Sequence, residues 1–359
     1  MSGEGREEHA VGWRGIEGHD RVVSAFKTAA ARGRVAGSYL LVGPPGVGKT
    51  TFAMELARAL VCPRAGPGLE ACGECASCVQ AAAGSHPDID VVAKPEDRAT
   101  IPLEAFIGDQ DHRMREGLCW RILLAPALGA RKVAIIRDAD HFSVEAANCL
   151  LKTLEEPPAN AVILLVGTAP ERQLPTIRSR CQIVRFRPLP DETVRRVLEA
   201  EAAGDAAAIR AAATAAGGSL ARARLLLDPD VAAFRGRLVE LLAHRPVRGV
   251  DLARETLALV EAAGKEAPPR RARLRVVFES AIDFLQSALR HAVSGESPAD
   301  PAVARALAAR EPDADETEAG LRFTLDALAA VDRNANLTIL VDAWTALLEE
   351  PRLGVGGRG

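Results

Sequence analysis

The chain has 359 residues, which is enough for two or three domains and a sizeable buried core. A hydrophobic share of 48%, a charged share of 26% and few aromatics fit an alanine-rich, largely helical globular protein. A net charge of −3 excludes a strong basic field for gripping nucleic acid unaided, and no apolar run approaches the roughly 20 residues of a membrane span.

In chain order, Met1–His9 is polar and charged, unlike a signal peptide. The expected compartment is therefore reducing, where clustered cysteines more often bind metal than form disulfides. Asp20 to Arg32 has helical apolar spacing at Val22, Val23, Phe26 and Ala30. Ser38 to Val42 is a short apolar strand that runs into a glycine loop. The next helix passes through Phe52, Leu56, Ala59 and Leu60 and ends at Cys62. Further strands are expected at 89–92, 133–136, 161–166 and 183–186, with a helix from Ser143 to Glu155 that Pro157-Pro158 stops. Strands alternating with helices imply a parallel sheet covered on both faces. The pattern changes at Pro188-Leu189-Pro190, and only helical periodicity follows. Asp191 is expected to N-cap a helix over 193–203. Gly217-Gly218 separates two more helices, and Asp228-Pro229 ends the second. The last helix carries Leu337, Leu340, Val341, Trp344 and Leu348 on one face.

Two groups of residues carry strong chemical signals. Gly43-Pro44-Pro45-Gly46-Val47-Gly48-Lys49-Thr50, followed by Thr51, fits G-x-x-x-x-G-K-[ST] between a strand and a helix. Backbone N–H groups of such a loop wrap phosphates, Lys49 reaches the β/γ-phosphates and Thr50 holds Mg²⁺, so ATP or ADP with Mg²⁺ is the expected cofactor. Cys62, Cys72, Cys75 and Cys78 offer four thiolates to a tetrahedral Zn²⁺; four protein ligands leave no open position, so the site is expected to be structural. Cys119, Cys149 and Cys181 are scattered and read as packing residues.

Three weaker signals bear on hydrolysis. A P-loop ATPase normally ends the relevant strand in Asp-Glu, whereas here Val133 to Ile136 is followed by Arg137-Asp138. Thr168, after the strand at 161–166, stands where a polar residue could sense the γ-phosphate or simply cap a turn. Arg180, in Ser179-Arg180-Cys181, is either a surface arginine or one that projects into a neighbour's nucleotide site.

The P-loop, the four cysteines, His86-Pro87-Asp88, the run from Asn148 to Pro158 containing Leu150-Leu151-Lys152-Thr153-Leu154-Glu155-Glu156-Pro157-Pro158, and Ser179-Arg180-Cys181 together resemble the clamp-loader subunits of bacterial DNA polymerase III, in the AAA+ class. The resemblance covers about residues 13–230 by motif, and Asn334 to Leu337 is similar to the opening of that family's last collar helix. Two subunit types share the plan: a gamma/tau ATPase motor with an intact Asp-Glu pair, and a delta-prime stator without it. Arg137-Asp138, the segment Ala146-Ala147-Asn148, the early end after the collar, and Ala221 where a sensor arginine would stand all resemble delta-prime. The intact P-loop departs from delta-prime subunits in which that loop is damaged.

The resemblance implies a RecA-like AAA+ core with an inserted zinc knuckle over 1–190, a small helical lid over 191–232 and an all-α collar over 233–359. It implies a cytoplasmic subunit, at the replisome, that loads a sliding clamp on primed DNA with gamma/tau and delta partners. Arg180 would act as an arginine finger in trans, and the chain's own ATPase would be weak or absent. The alternatives are a gamma/tau-type motor and a zinc-stabilised scaffold that binds no nucleotide.

Overall fold

The structure is a computed structural model that describes residues 13, 15–96, 98–109, 111, 115–298, 300–308 and 312–349. The chain forms two compact units. One holds the chain to Glu201 together with Ala216–Ala221; the other holds Ala202–Ala215 and the chain from Arg222 onward.

The first unit is built on five parallel strands: β1 (Ser38–Val42), β2 (Ile89–Val92), β3 (Lys132–Ile136), β4 (Ala161–Val166) and β5 (Gln182–Arg185), in spatial order β2-β3-β4-β1-β5. Placing β1 between β4 and β5 brings two distant loops together at the C-terminal edge of the sheet. Leu41 pairs with Val166, so the glycine loop after β1 and the turn after β4 leave the sheet side by side.

The central strands are buried on both faces, as a parallel sheet requires. Tyr39, Leu41, Val133, Ile135, Val162 and Leu164 face one core with α1 (Asp20–Ala31) and α2 (Lys49–Val61). Leu40, Val42, Ala134, Ile136, Ile163 and Leu165 face a second core with α6 (Val144–Glu155). Ser143 starts α6 by accepting the Ala146 N–H at 3.1 Å. Short helices α3 (Ala76–Ala82), α4 (Glu104–Ile107), α5 (Leu118–Arg121) and α7 (Pro175–Arg178) fill the connections.

Helix α8 (Asp191–Ala200) begins two residues earlier than expected. Pro190 is its N-cap and Asp191 lies inside the first turn, a correction to the sequence expectation. Val194 and Leu198 on α8 are fully buried, and Arg196 pairs with Glu17, so this helix belongs to the first unit. The segment expected as a lid, 191–232, therefore divides between the two units.

The second unit is helical throughout: α9 (Ala206–Ala215), most of α10 (Leu220–Leu226), α11 (Pro229–Ala243), α12 (Gly249–Glu261), α13 (Ala267–Ser294), α14 (Pro301–Ala308), α15 (Ala314–Asp332) and α16 (Leu337–Glu349). Asp228-Pro229 both ends α10 and starts α11, because the Asp228 carboxylate caps the Asp230 N–H and Pro229 fits the first turn. Trp344 of α16 is 1% exposed, meets Phe278 of α13 edge-on at 4.9 Å and donates its indole N–H to Thr324 of α15 at 2.9 Å. Among the described residues, no helix is long and apolar enough to cross a membrane.

Candidate functional site

Helix α2 starts at Lys49, with Gly48 left-handed at its N-cap (φ 96°). The loop before it can turn this tightly only because Gly46 (φ 75°) and Gly48 adopt a conformation that costs other residues strain. Gly46 also has no room for a side chain: a Cβ there would lie 2.2 Å from Ser219 Oγ and 2.9 Å from Ala221 Cβ. The Gly46 carbonyl accepts the Leu220 N–H at 3.0 Å, so the start of α10 rests on the P-loop.

Lys49 is 7% exposed and donates to the carbonyls of Gly43 (2.7 Å) and Pro44 (2.6 Å). Burial lowers its pKa to about 8, and the Asp140 carboxylate opposes that shift. The ammonium is thus held over its own loop on weak neutral acceptors, beside the first turn of a long helix. This donor set fits a nucleotide polyphosphate. Thr50 and Thr51 lie in that first turn.

The turn after β4 lies against the P-loop: Gly43 donates its N–H to the Thr168 carbonyl at 3.0 Å, and Gly167 donates to Leu41 at 2.9 Å. The Thr168 hydroxyl, however, donates to Asp140 at 2.6 Å. The same carboxylate accepts the Thr168 N–H at 2.7 Å and the amide of buried Gln173 at 2.9 Å. In the sequence, Ala139-Asp140 is one of the segments similar to delta-prime, but nothing there gives Asp140 a part in the site. Arg137 and Asp138, the pair in place of Asp-Glu, are both exposed. Asp138 sits left-handed (φ 54°) at the start of a 3₁₀ turn, and its carboxylate faces the Lys94 N–H at 3.4 Å.

The cysteines converge. Their four Sγ atoms lie within 4.8 Å of one another, with Cys62–Cys72 at 3.7 Å, Cys62–Cys75 at 3.8 Å and Cys72–Cys78 at 3.9 Å. Tetrahedral zinc with Zn–S bonds of ~2.3 Å requires sulfur separations of about 3.8 Å. Backbone N–H groups of Cys72, Cys75 and Cys78 point at the sulfurs of Cys62, Cys72 and Cys75, the donors that stabilise thiolates. The residues therefore fit Zn²⁺. Without metal their environments differ: an N–H from Glu74 leads the donors that lower Cys72 to about 6, while burial pushes Cys78 up to about 12. Cys62 caps α2 and Cys75 caps α3, so the knuckle closes directly on the helix that carries the P-loop. Cys119 and Cys149 pack together at 3.8 Å, and Cys181 is buried.

Two further motifs acquire partners. Arg180 donates Nε to Glu155 at 2.8 Å, with Nη2 on the same oxygen, and Nη1 to the Thr176 carbonyl at 2.8 Å. The guanidinium is thereby held between α7 and the end of α6, with its side chain 29% exposed. Asp88 is fully buried and accepts the N–H groups of Ala127 (2.6 Å), Leu128 (2.8 Å) and Gly129 (2.8 Å). Burial alone would raise its pKa; the three donors and Lys132 outweigh that and hold it below the usual range. His86 is buried, which lowers its pKa, and its Nδ1 accepts the Asp88 N–H at 3.0 Å. His86-Pro87-Asp88 is therefore a clasp on the loop entering β3.

Residues 18–190 match the family model described as DNA polymerase III, delta subunit. The DNA polymerase III subunit delta-prime of Escherichia coli is 31% identical over 252 residues, covering 70% of this chain and 70% of that protein. This chain belongs to the delta-prime family of DNA polymerase III subunits. The delta-prime subunit of Pseudomonas aeruginosa is 38% identical over 212 residues, 58% of this chain and 61% of its own length. The gamma/tau subunit of Mycobacterium tuberculosis is 36% identical over 184 residues, 51% of this chain and 30% of that protein. The match thus spans about three fifths of the Pseudomonas delta-prime subunit and under a third of the mycobacterial gamma/tau subunit.

Proposed function

We propose that this chain works as the delta-prime subunit of a DNA polymerase III clamp loader, acting in the cytoplasm with gamma/tau and delta partners to place a sliding clamp on primed DNA. In that role it holds ATP or ADP with Mg²⁺ at Gly43–Thr51, hydrolyses little of it, and offers Arg180 to the nucleotide site of a neighbouring subunit. One observation carries the reading: the phosphate-holding half of the site is complete, while the strand that should end in an acidic pair ends in exposed Arg137 and Asp138. With Arg137 in the Asp position and the shorter Asp138 in the Glu position, the pair that would support Mg²⁺ and polarise water is incomplete, so hydrolysis by this chain is weak or absent. Lys49 and the P-loop N–H groups would bind and orient the phosphates, and bound Mg²⁺ would neutralise their charge. Arg180, held by Glu155 yet partly exposed, supplies a fixed guanidinium that can stabilise charge on a phosphoryl group transferred elsewhere. The four thiolates would hold a structural zinc.

The intact P-loop favours a second reading, a gamma/tau-type motor. ATP turnover by the reconstituted loader separates the two. Arg180→Ala in this subunit is expected to cut turnover at least tenfold, Glu155→Gln, which loosens the arginine, to cut it less, and Lys49→Ala to change it less than twofold. A loss on Lys49→Ala as deep as on Arg180→Ala would make the chain a motor.

A further inference from the structure

We infer that the P-loop of this chain is a nucleoside-diphosphate site, one that grips the α- and β-phosphates and gains no affinity from a γ-phosphate. The inference rests on the reading of Gly43–Thr51 as a nucleotide site.

A γ-phosphate adds negative charge, and a pocket gains affinity from it only by aiming cations or hydrogen-bond donors at it. Two positions beside the loop, Thr168 and Ala221, offer it no donor. A hydroxyl has one proton to donate, and Thr168 gives it to Asp140 at 2.6 Å. That arrangement is fixed, because the carboxylate also takes the Thr168 N–H and the Gln173 amide. Next to Gly46, beyond the Ser219 hydroxyl, stands Ala221, whose methyl offers no donor.

Asp140 adds an opposing charge. It lies within electrostatic reach of the Lys49 ammonium, the group that meets the β- and γ-phosphates of a bound triphosphate. An incoming γ-phosphate therefore approaches a carboxylate that three donors hold in place. By contrast, what serves the α- and β-phosphates is intact: the left-handed Gly46 and Gly48, the start of the 13-residue α2, and Lys49 itself.

The test is equilibrium binding of MgADP and MgATP to the full-length, zinc-loaded chain by calorimetry. The expected result is that ADP binds at least as tightly as ATP. Asp140→Asn, which removes the charge but keeps an acceptor for Thr168, should shift the ratio of the two affinities at least threefold toward ATP. Wild-type ATP binding more than tenfold tighter than ADP binding would overturn the diphosphate inference and leave the nucleotide reading standing. A folded chain that binds neither nucleotide at millimolar concentration would overturn the nucleotide reading itself.

Discussion

Asp88 illustrates how a single side chain can hold a loop that is distant in sequence. Its carboxylate satisfies three consecutive N–H groups 39, 40 and 41 residues away, at zero exposure. Removing it leaves those donors buried without a strong acceptor, so Asp88→Ala should cost about 3 kcal/mol at pH 7, measured by urea unfolding. The pH dependence follows from the direction of the shift. A carboxyl held below its unfolded pKa of about 3.9 contributes stability that is present above that value and lost as pH falls through the folded one. Buried His86 adds an earlier loss in the same direction: below about pH 6.5 the unfolded chain takes up a proton that the folded imidazole resists. The wild type should therefore begin to lose stability below about pH 6.5 and steepen below pH 4, and Asp88→Ala should lack the steeper part.

At the scale of elements, the zinc knuckle and the P-loop share one helix. Gly48 opens α2 and Cys62 closes it, so a metal bound at one end would brace the turn proposed to hold phosphate at the other. Chelating the metal should release about one zinc per chain, and Cys72→Ser should prevent reloading, both read by metal analysis. The pH sign is again fixed by the ligands. Thiolates must lose protons to bind metal, and Cys78, at about 12 without metal, carries one at neutral pH. Reloading zinc should therefore release protons in an unbuffered titration, and zinc affinity should fall as pH is lowered. A knuckle that reloaded without proton release would contradict this assignment of protonation states.

At the scale of the whole molecule, the two units have separate cores. The first is a parallel sheet buried on both faces; the second is a helical bundle in which α13, α15 and α16 meet at Phe278, Thr324 and Trp344. Trp344→Ala removes a side chain that is 1% exposed and leaves the Thr324 hydroxyl without its donor, a loss of about 3–5 kcal/mol. The expected outcome in calorimetry is a lowered transition for the helical unit, with the zinc content unchanged. Zinc removal should do the reverse and lower the transition of the sheet unit.

The five strands, the P-loop, the cysteine cluster and the switch to helices after Pro190 were legible in the chain alone, because each is written locally: short continuous apolar runs for strands buried on both faces, glycines where the backbone turns left-handed, and cysteines close enough in sequence to converge. The sequence also carried the family, through Leu150–Pro158 and Ser179-Arg180-Cys181. It did not place α8, whose fully buried Val194 and Leu198 tie it to the sheet unit although its periodicity matches the helices that follow. What Asp140, Glu155 and Asp88 do became legible only in the fold. Their partners lie about 25 to 40 residues away, and a carboxylate on its own reads the same whether it faces water or three donors. The Thr168 hydroxyl stood at the right place in the sequence for a phosphate sensor. Strand order set it beside the P-loop, and the turn after β3 then brought Asp140 to accept its one proton.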